Sequence, residues 1–588
     1  MREIVKFKFL VLVGLATLST FVHAQVVDAD YVFTNANVYT VNKDAPWAEA
    51  IAVKSNKIVY VGSSEGAQIF ISDATEVHDL DGKMITPGFF SGHEHFVSSA
   101  WMGMGVALGE GQSKQDYLDL IKAYADANPN EKFIRGLGWN GSLMDSPPTA
   151  ADLDKIVPDR PVILQDYTVH DMWLNSKAME MGNVDKNTPD AIPGLTFWVR
   201  DDAGNPIGEA KEFAWMPAFI EMGAWQPETM ISESQTKLYN LAASYGYTGY
   251  INQGLVTPNI KEFKEYFSDY RIALELLTEL DNQNKLKMRT FFQVLYKNEK
   301  TDVDAFVADT IELRNEYNTD TVGITGIKIH PEGVFTSHAS VMLEPWTDLP
   351  DSKAVRGVSA ARSEEVVLKA NKVGLDVSIH TDGSKTQRET IDTYIKAKEL
   401  GYEDARNSLQ HFANVHPDDF ERVVKYNIPV NLTPIWATTW GGGLESAMKI
   451  LGQKRVEKAF QPLGRAIRAG IPTSIGADVP STDISLSGPL YLCQSAITRK
   501  DPSNPSDKRT FPPSTEAISL EQCLFTATMG GAYQARMEHK VGSLEVGKYA
   551  DLVIFERNLF EVEPDNLVET KILATMMNGT FTYQQGLQ

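Results

Sequence analysis

In the stretch TPGFFSGHEHFV (residues 86–97), His93 and His95 flank Glu94 shortly after a Pro-Gly break. Residues i and i+2 of an extended segment point to the same side, so the two imidazoles aim at one place. That spacing suits a divalent metal ion. A pair of this kind also arises by chance, so further ligands have to come from elsewhere in the chain. Four candidates stand out: Lys328 in GITGIKIHPEG, His380 in GLDVSIHTDG, His411 in NSLQHFA and Asp478 in IPTSIGADVP. Each lies near the C-terminal end of an apolar run of strand character.

Lysine is an awkward ligand, because an ammonium repels a dication and has no lone pair. Carbon dioxide removes the difficulty by converting the amine to a carbamate, a carboxylate on a long arm that can bridge two metals. Two zinc ions bring four positive charges. Carbamate, a bridging hydroxide and Asp478 cancel three of them, and the residual charge is what acidifies water and polarises a carbonyl. Two other readings stay open: Lys328 paired structurally with Glu332, or Glu332 itself as the bridging carboxylate.

The elements that position these residues follow from periodicity. Predicted strands are 85–96, 247–254, 288–296, 323–333, 374–383, 407–413, 428–436 and 471–480, most followed by an amphipathic helical stretch. Eight β/α units point to a (β/α)8 TIM-type barrel in the α/β class, whose chemistry sits at the C-terminal strand ends. The interval from about 100 to 240 exceeds any simple crossover and is read as an insertion with its own structure. At the two ends, ADYVFTNANVYTVN and VGSLEVGKYADLVIFE alternate with a period of two. The expected arrangement is a composite β-sandwich from residues 25–84 and 536–588 around a barrel at 85–535.

A formal net charge of -22 argues against nucleic acid and anionic membrane surfaces as partners. A small molecule remains the expected partner, met by a monomer or a homo-oligomer. The N-terminus is basic, then apolar to Val22, and ends in Val22-His23-Ala24. It reads as a signal peptide over residues 1–24 and implies export to the periplasm. No cysteine follows that run to carry a lipid anchor. Cys493 and Cys523 are either paired after export or two free buried thiols.

The ligand set resembles the amidohydrolase superfamily, with HxH on the first strand, lysine on the fourth, histidines on the fifth and sixth, and aspartate on the eighth. Within it the chain is similar to the branch that includes N-substituted formamide deformylases. The resemblance covers residues 29–588, including GLGWN (136–140), VHDMWLN (169–175), GEAKE (208–212) and GADVP (476–480). Two positions depart: relatives usually read Asp-Gly at Glu332-Gly333, and an acid such as Glu94 between the histidines is rare.

The resemblance implies that His93 and His95 bind one metal, His380 and His411 the other, and that Lys328 bridges as its carbamate. Asp478 ligates the first metal and handles the proton while a bridging hydroxide cleaves a small N-acyl or N-formyl C–N bond. Zinc is the first choice of metal. Ester, lactone or carbamate hydrolysis, a one-metal deaminase and an inactive metal-binding protein are the alternatives. Trp139, Asn140, His170 and Trp173 are candidates for the substrate wall supplied by the insertion. TTWGGGLES (438–446) is either a lid or a plain loop. His330 is placed beside Lys328, while His338, His416 and His539 are surface residues.

Overall fold

The computed structural model describes residues 28–109, 111, 113–260 and 263–587. The leader over 1–24 lies outside them. No described helix is long and apolar enough to cross a membrane.

Eight parallel strands form the central sheet in chain order: β1 Phe89–Glu94, β2 Tyr247–Asn252, β3 Arg289–Tyr296, β4 Val322–Ile329, β5 Asp376–His380, β6 Ser408–Gln410, β7 Val430–Leu432 and β8 Thr473–Ile475. They curl into a nearly closed barrel. Its seam is held just past β1 and β8, where Asp478 N–H donates to the His93 carbonyl (3.1 Å) and His95 N–H to that of Val479 (3.2 Å). Between strands run helices with sharp starts. Val303–Tyr317 is capped by Asp302, and Ala360–Lys372 by Ser359, whose side-chain oxygens take backbone N–H groups of the first turn. Their inner faces, such as Val366, Val367 and Ala370, are fully buried against the barrel.

The segment expected to be one strand over 85–96 is two. Met84–Pro87 pairs with Leu552–Phe555 in the terminal β domain, whereas Phe89–Glu94 begins the barrel. Gly88 is the corner. A Cβ there would sit 2.2 Å from the Thr248 side chain, so only glycine lets the chain pass between the two sheets. The Pro-Gly break marks the place, but alternation cannot reveal the change of sheet, because both strands are apolar.

A four-stranded and a six-stranded sheet make the terminal β domain. Its core mixes both ends of the chain: Phe33, Val38, Ile51 and Ile85 against Leu552, Ile554 and Met576. A buried ion pair ties it to the barrel. Arg289 at the start of β3 donates two hydrogen bonds to Asp551 (2.7 and 2.9 Å) and a third to the Asp320 carbonyl (2.7 Å). The bidentate geometry offsets the cost of burying both charges. Cys493 and Cys523 are joined as a disulfide between Pro489–Thr498 and Leu520–Phe525.

After β1 the chain leaves the barrel for a six-stranded mixed sheet between Val106 and Ala210. Its own core contains Leu108, Tyr117, Ile121, Leu153 and Leu164. The chain then returns along helix Pro227–Ser244 to β2.

Candidate metal centre

The C-terminal ends of the barrel strands bring His93, His95, Lys328, His380, His411 and Asp478 to the lining of one cavity. His93, His95 and Asp478 form a tight group, with ligand atoms within 4.8 Å of one another. Their protons are committed elsewhere. His93 Nδ1 lies 2.7 Å from Gln410 Oε1, and His95 Nδ1 lies 2.8 Å from the Gly254 carbonyl oxygen. Those oxygens only accept, so each Nδ1 carries a hydrogen, and in the neutral imidazole each Nε2 keeps a lone pair. Both Nε2 atoms face Asp478 Oδ1, at 3.3 and 3.2 Å. Two lone pairs held against a carboxylate oxygen repel one another unless a cation lies among them. The donor set fits a divalent ion.

The rings of the remaining histidines close around this group. His411 lies 4.7 Å from His93 and 4.6 Å from His380, centroid to centroid. His380 Nε2, His411 Nδ1 and Lys328 Nζ are buried without a hydrogen-bond partner. Orphaned buried polar atoms are rare in folded proteins, and three around one cavity point to a missing ligand. These residues also fit a second ion.

Burial sets the charge states. It lowers the His93 imidazole to about 4, helped by nearby Lys328, and takes His380 and His411 well below the usual range. All three are neutral at pH 7, as ligands must be. Burial also lowers Lys328 to about 7, with Asp478 opposing. For Asp478 burial alone would raise the carboxyl, but a proton on a neighbouring histidine, His93 foremost, would override it and hold the group well below its ordinary value.

Two buried acids aim away from the cluster and shape it. Glu94 Oε1 accepts from Ala477 N–H (2.8 Å) and from Ser91 Oγ (2.8 Å), and Oε2 from Val479 N–H (2.9 Å). It therefore grips both neighbours of Asp478, a residue held in the left-handed region at φ 57. Burial raises the Glu94 carboxyl to about 8 while the three donors pull it down. Glu94→Gln places an NH2 against one of the two backbone N–H groups, an unmet buried donor costing about 1–3 kcal/mol. The expected result is a fall of roughly 10- to 100-fold in kcat and in metal affinity, the scale of losing a group that orients a ligand. Unchanged metal content and kcat in the purified variant would show that Asp478 needs no such grip.

Glu332 neither pairs with Lys328 nor lines the cavity. Its oxygens accept from Gly383 N–H (2.8 Å), Asp382 N–H (3.1 Å), Val341 N–H (2.5 Å) and Thr386 Oγ1 (2.6 Å). Strand β4 ends at Ile329, so the alternation that would have turned Glu332 inward stops before it.

Residues 76–583 match the amidohydrolase family. The chain belongs to that family. It is similar to the exoenzymes regulatory protein AepA of Pectobacterium carotovorum subsp. carotovorum, 29% identical over 473 residues that cover 78% of this chain and 95% of that protein. It is also similar to the N-substituted formamide deformylase of Arthrobacter pascens, 22% identical and covering 95% of this chain and 98% of that one. An uncharacterized metal-dependent hydrolase from Pyrococcus horikoshii OT3 shares the fold, with a TM-score of 0.69 at 20% identity over 91% of this chain and 99% of that one. The protein is accordingly a hydrolase, which sets aside the inactive metal-binding alternative.

In this amidohydrolase the four insertion residues part company. Trp139 and Trp173 are 2% and 0% exposed and pack edge-to-face in the insertion core. Their indole N–H groups donate to the Leu164 (2.9 Å) and Thr149 (2.8 Å) carbonyls, so neither lines the cavity. Asn140, whose backbone N–H donates to Tyr117 Oη (3.2 Å), also lies outside it. His170 does line it.

Most of the apolar wall comes from residues the sequence did not mark. Trp436 stacks on His411 (5.4 Å, 18°), and Met102, Phe213, Leu295 and Phe460 add apolar surface. Trp440 and Gly441 of the TTWGGGLES loop also reach the cavity. His330 stacks on His380 at 4.3 Å. Gln410 was the findable omission, a polar residue in a buried strand next to His411.

Proposed function

We propose that this hydrolase cleaves a small, non-peptide amide, of N-acyl or N-formyl type, with two divalent metal ions in the cavity. The observation that carries the reading is the convergence of His93 and His95 Nε2 on Asp478 Oδ1 beside three buried atoms with no hydrogen-bond partner, His380 Nε2, His411 Nδ1 and Lys328 Nζ. His93, His95 and Asp478 would hold one ion, and His380 and His411 the other. Lys328, with its amine lowered to about 7, is about half unprotonated at neutrality. Its nitrogen lone pair attacks the carbon of carbon dioxide and a proton leaves, giving a carbamate long enough to serve both ions. Divalent ions bound there supply Lewis acidity, lowering the pKa of water toward ~7 and polarising a carbonyl.

Asp478, ionised at neutral pH, accepts the proton of the attacking water at its carboxylate and returns it to the leaving nitrogen. The His93 and His95 hydrogen bonds to Gln410 and Gly254 keep both rings in one tautomer throughout. Apolar walls including Trp436 and Phe460 exclude bulk water from the charged groups. The 22% identity to a formamide deformylase supports C–N cleavage, though not a particular substrate. The Cys493–Cys523 disulfide fits the export expected from the leader, since such bonds persist in oxidising compartments.

The test joins metal analysis to a substrate panel of N-formyl and N-acyl amines, esters, lactones and carbamates. Two metal equivalents per chain and turnover of at least one amide are expected. One equivalent at full activity would favour the deaminase alternative, and turnover of esters or lactones with no amide cleaved would move the reading to that class.

A further inference from the structure

We propose that His170, held by Glu212, is a subsite for an anionic group, so that the amides taken by this cavity carry a carboxylate remote from the scissile bond. The inference rests on the amide-hydrolase reading above and names its substrate class.

His170 Nδ1 donates to Glu212 Oε2 at 2.8 Å, and both side chains are largely buried. With Nδ1 committed, Nε2 is the polar atom that His170 can present to the cavity it lines. Glu212 is absent from that lining, so the pair shows the cavity its histidine side. Burial alone would lower the His170 imidazole, but the Glu212 carboxylate outweighs it and raises the group above its ordinary value. An imidazolium has a hydrogen on both nitrogens, and Nε2–H is then a charged donor.

The acids behind the pair are engaged elsewhere. Asp171 accepts from Glu212 N–H (3.1 Å) and from Lys211 (2.7 Å), and Glu209 also meets Lys211 (2.5 Å). Asp166 accepts from the backbone N–H groups of Thr168 (3.1 Å) and Asp171 (2.9 Å). Lys297, with its Nζ 3.8 Å from the centre of the Phe213 ring, lines the same part of the cavity and adds a second cationic side chain.

Strain marks the place as built. Val169, Glu212 and Phe213 all hold positive φ, at 60, 47 and 65, a conformation that non-glycine residues adopt only when their surroundings impose it. His170 is two ring contacts from the metal cluster. Its ring lies 5.9 Å from His330, which in turn stacks on His380. A substrate with its amide carbonyl at the metals and its acid at His170 would cross the apolar wall between them.

The test uses metal-loaded full-length protein and matched pairs of N-acyl amino acids and their carboxamides. A charge-assisted hydrogen bond predicts that kcat/KM favours the acid by about 10- to 100-fold. His170→Gln is expected to shrink that ratio to about threefold or less, mainly through a higher KM for the acid. Glu212→Gln, which keeps a hydrogen-bonding side chain and removes the charge, should do the same. A thermal midpoint near that of the wild type identifies variants that have folded. Equal kcat/KM for acid and carboxamide in the wild type overturns the subsite. So does a preference that persists in both variants, which would mean that the metals take the carboxylate. If neither compound is cleaved, the amide-hydrolase reading is what fails. Calorimetric Kd values for the same pair, wild type against His170→Gln, then decide the subsite by the same ratios.

Discussion

Lys328→Ala is expected to lower kcat on the order of 10³-fold, the scale of losing a preorganised electrostatic contact in a dry site, and to leave fewer than two metal equivalents per chain. Four imidazoles and Asp478 supply a single negative charge against two dications. The metal-free variant should nevertheless melt no lower than the metal-free wild type, because Lys328 Nζ is buried without a partner and its removal breaks no hydrogen bond. That contrast separates loss of a ligand from loss of the fold. Bicarbonate or a short carboxylic acid should partly restore the alanine variant by filling the vacated place. Lys328→Arg should remain inactive, since a guanidinium stays cationic and forms no carbamate. A crystal of active, fully loaded enzyme with a bare ammonium at this position would sink the proposal. Glu332 could not then take over the bridge, because four donors already hold its carboxylate.

Asp478→Asn is the second large effect, a fall of roughly 10²- to 10⁴-fold in kcat from loss of the group that moves the proton. The expected signature differs from that of Lys328→Ala. His93, His95, His380, His411 and Lys328 all remain, so the second ion should still bind. KM should change much less than kcat, because an amide of the same size leaves the cavity walls in place. The variant should also lose the acidic limb of the rate profile that reports ionisation of this carboxyl. Turnover within about tenfold of the wild type would show that another group carries the proton.

The candidate set that the structure brings to one cavity was legible because each member sits at or just past a strand end, where an apolar run makes a single polar residue conspicuous. Lys328, His380, His411 and Asp478 all stand out in this way, and the eight runs that carry them match the eight strands of the barrel. What lay beyond reach was decided by turns and by distant chain. Glu94 and Glu332 look like any acids near a strand end. Their roles depend on the backbone of Ala477, Val479 and Gly383, which no local pattern links to them. Trp139 and Trp173 drew attention as large aromatics near polar motifs, yet the insertion has a core of its own and uses them to fill it. The Pro87-Gly88 break was visible, but not that it hands the chain from one sheet to another, because a sharp corner between two equally apolar strands leaves the alternation intact.

The seam of the barrel joins the chain's early and late parts at the very residues we propose as ligands of one ion. Glu94 and Val479 are 385 positions apart and share a hydrogen bond, with His93, His95 and Asp478 immediately beside them. Such a contact forms late in folding, since a long loop must close before it is rewarded. A chain stalled part-way holds a pair of histidines but no carboxylate opposite them, and so has little hold on metal. On that proposal, uptake of the ion would certify that the last strand has docked. Once bound, it would act as a clasp on the ring, and stripping it should loosen the seam before any other part of the barrel.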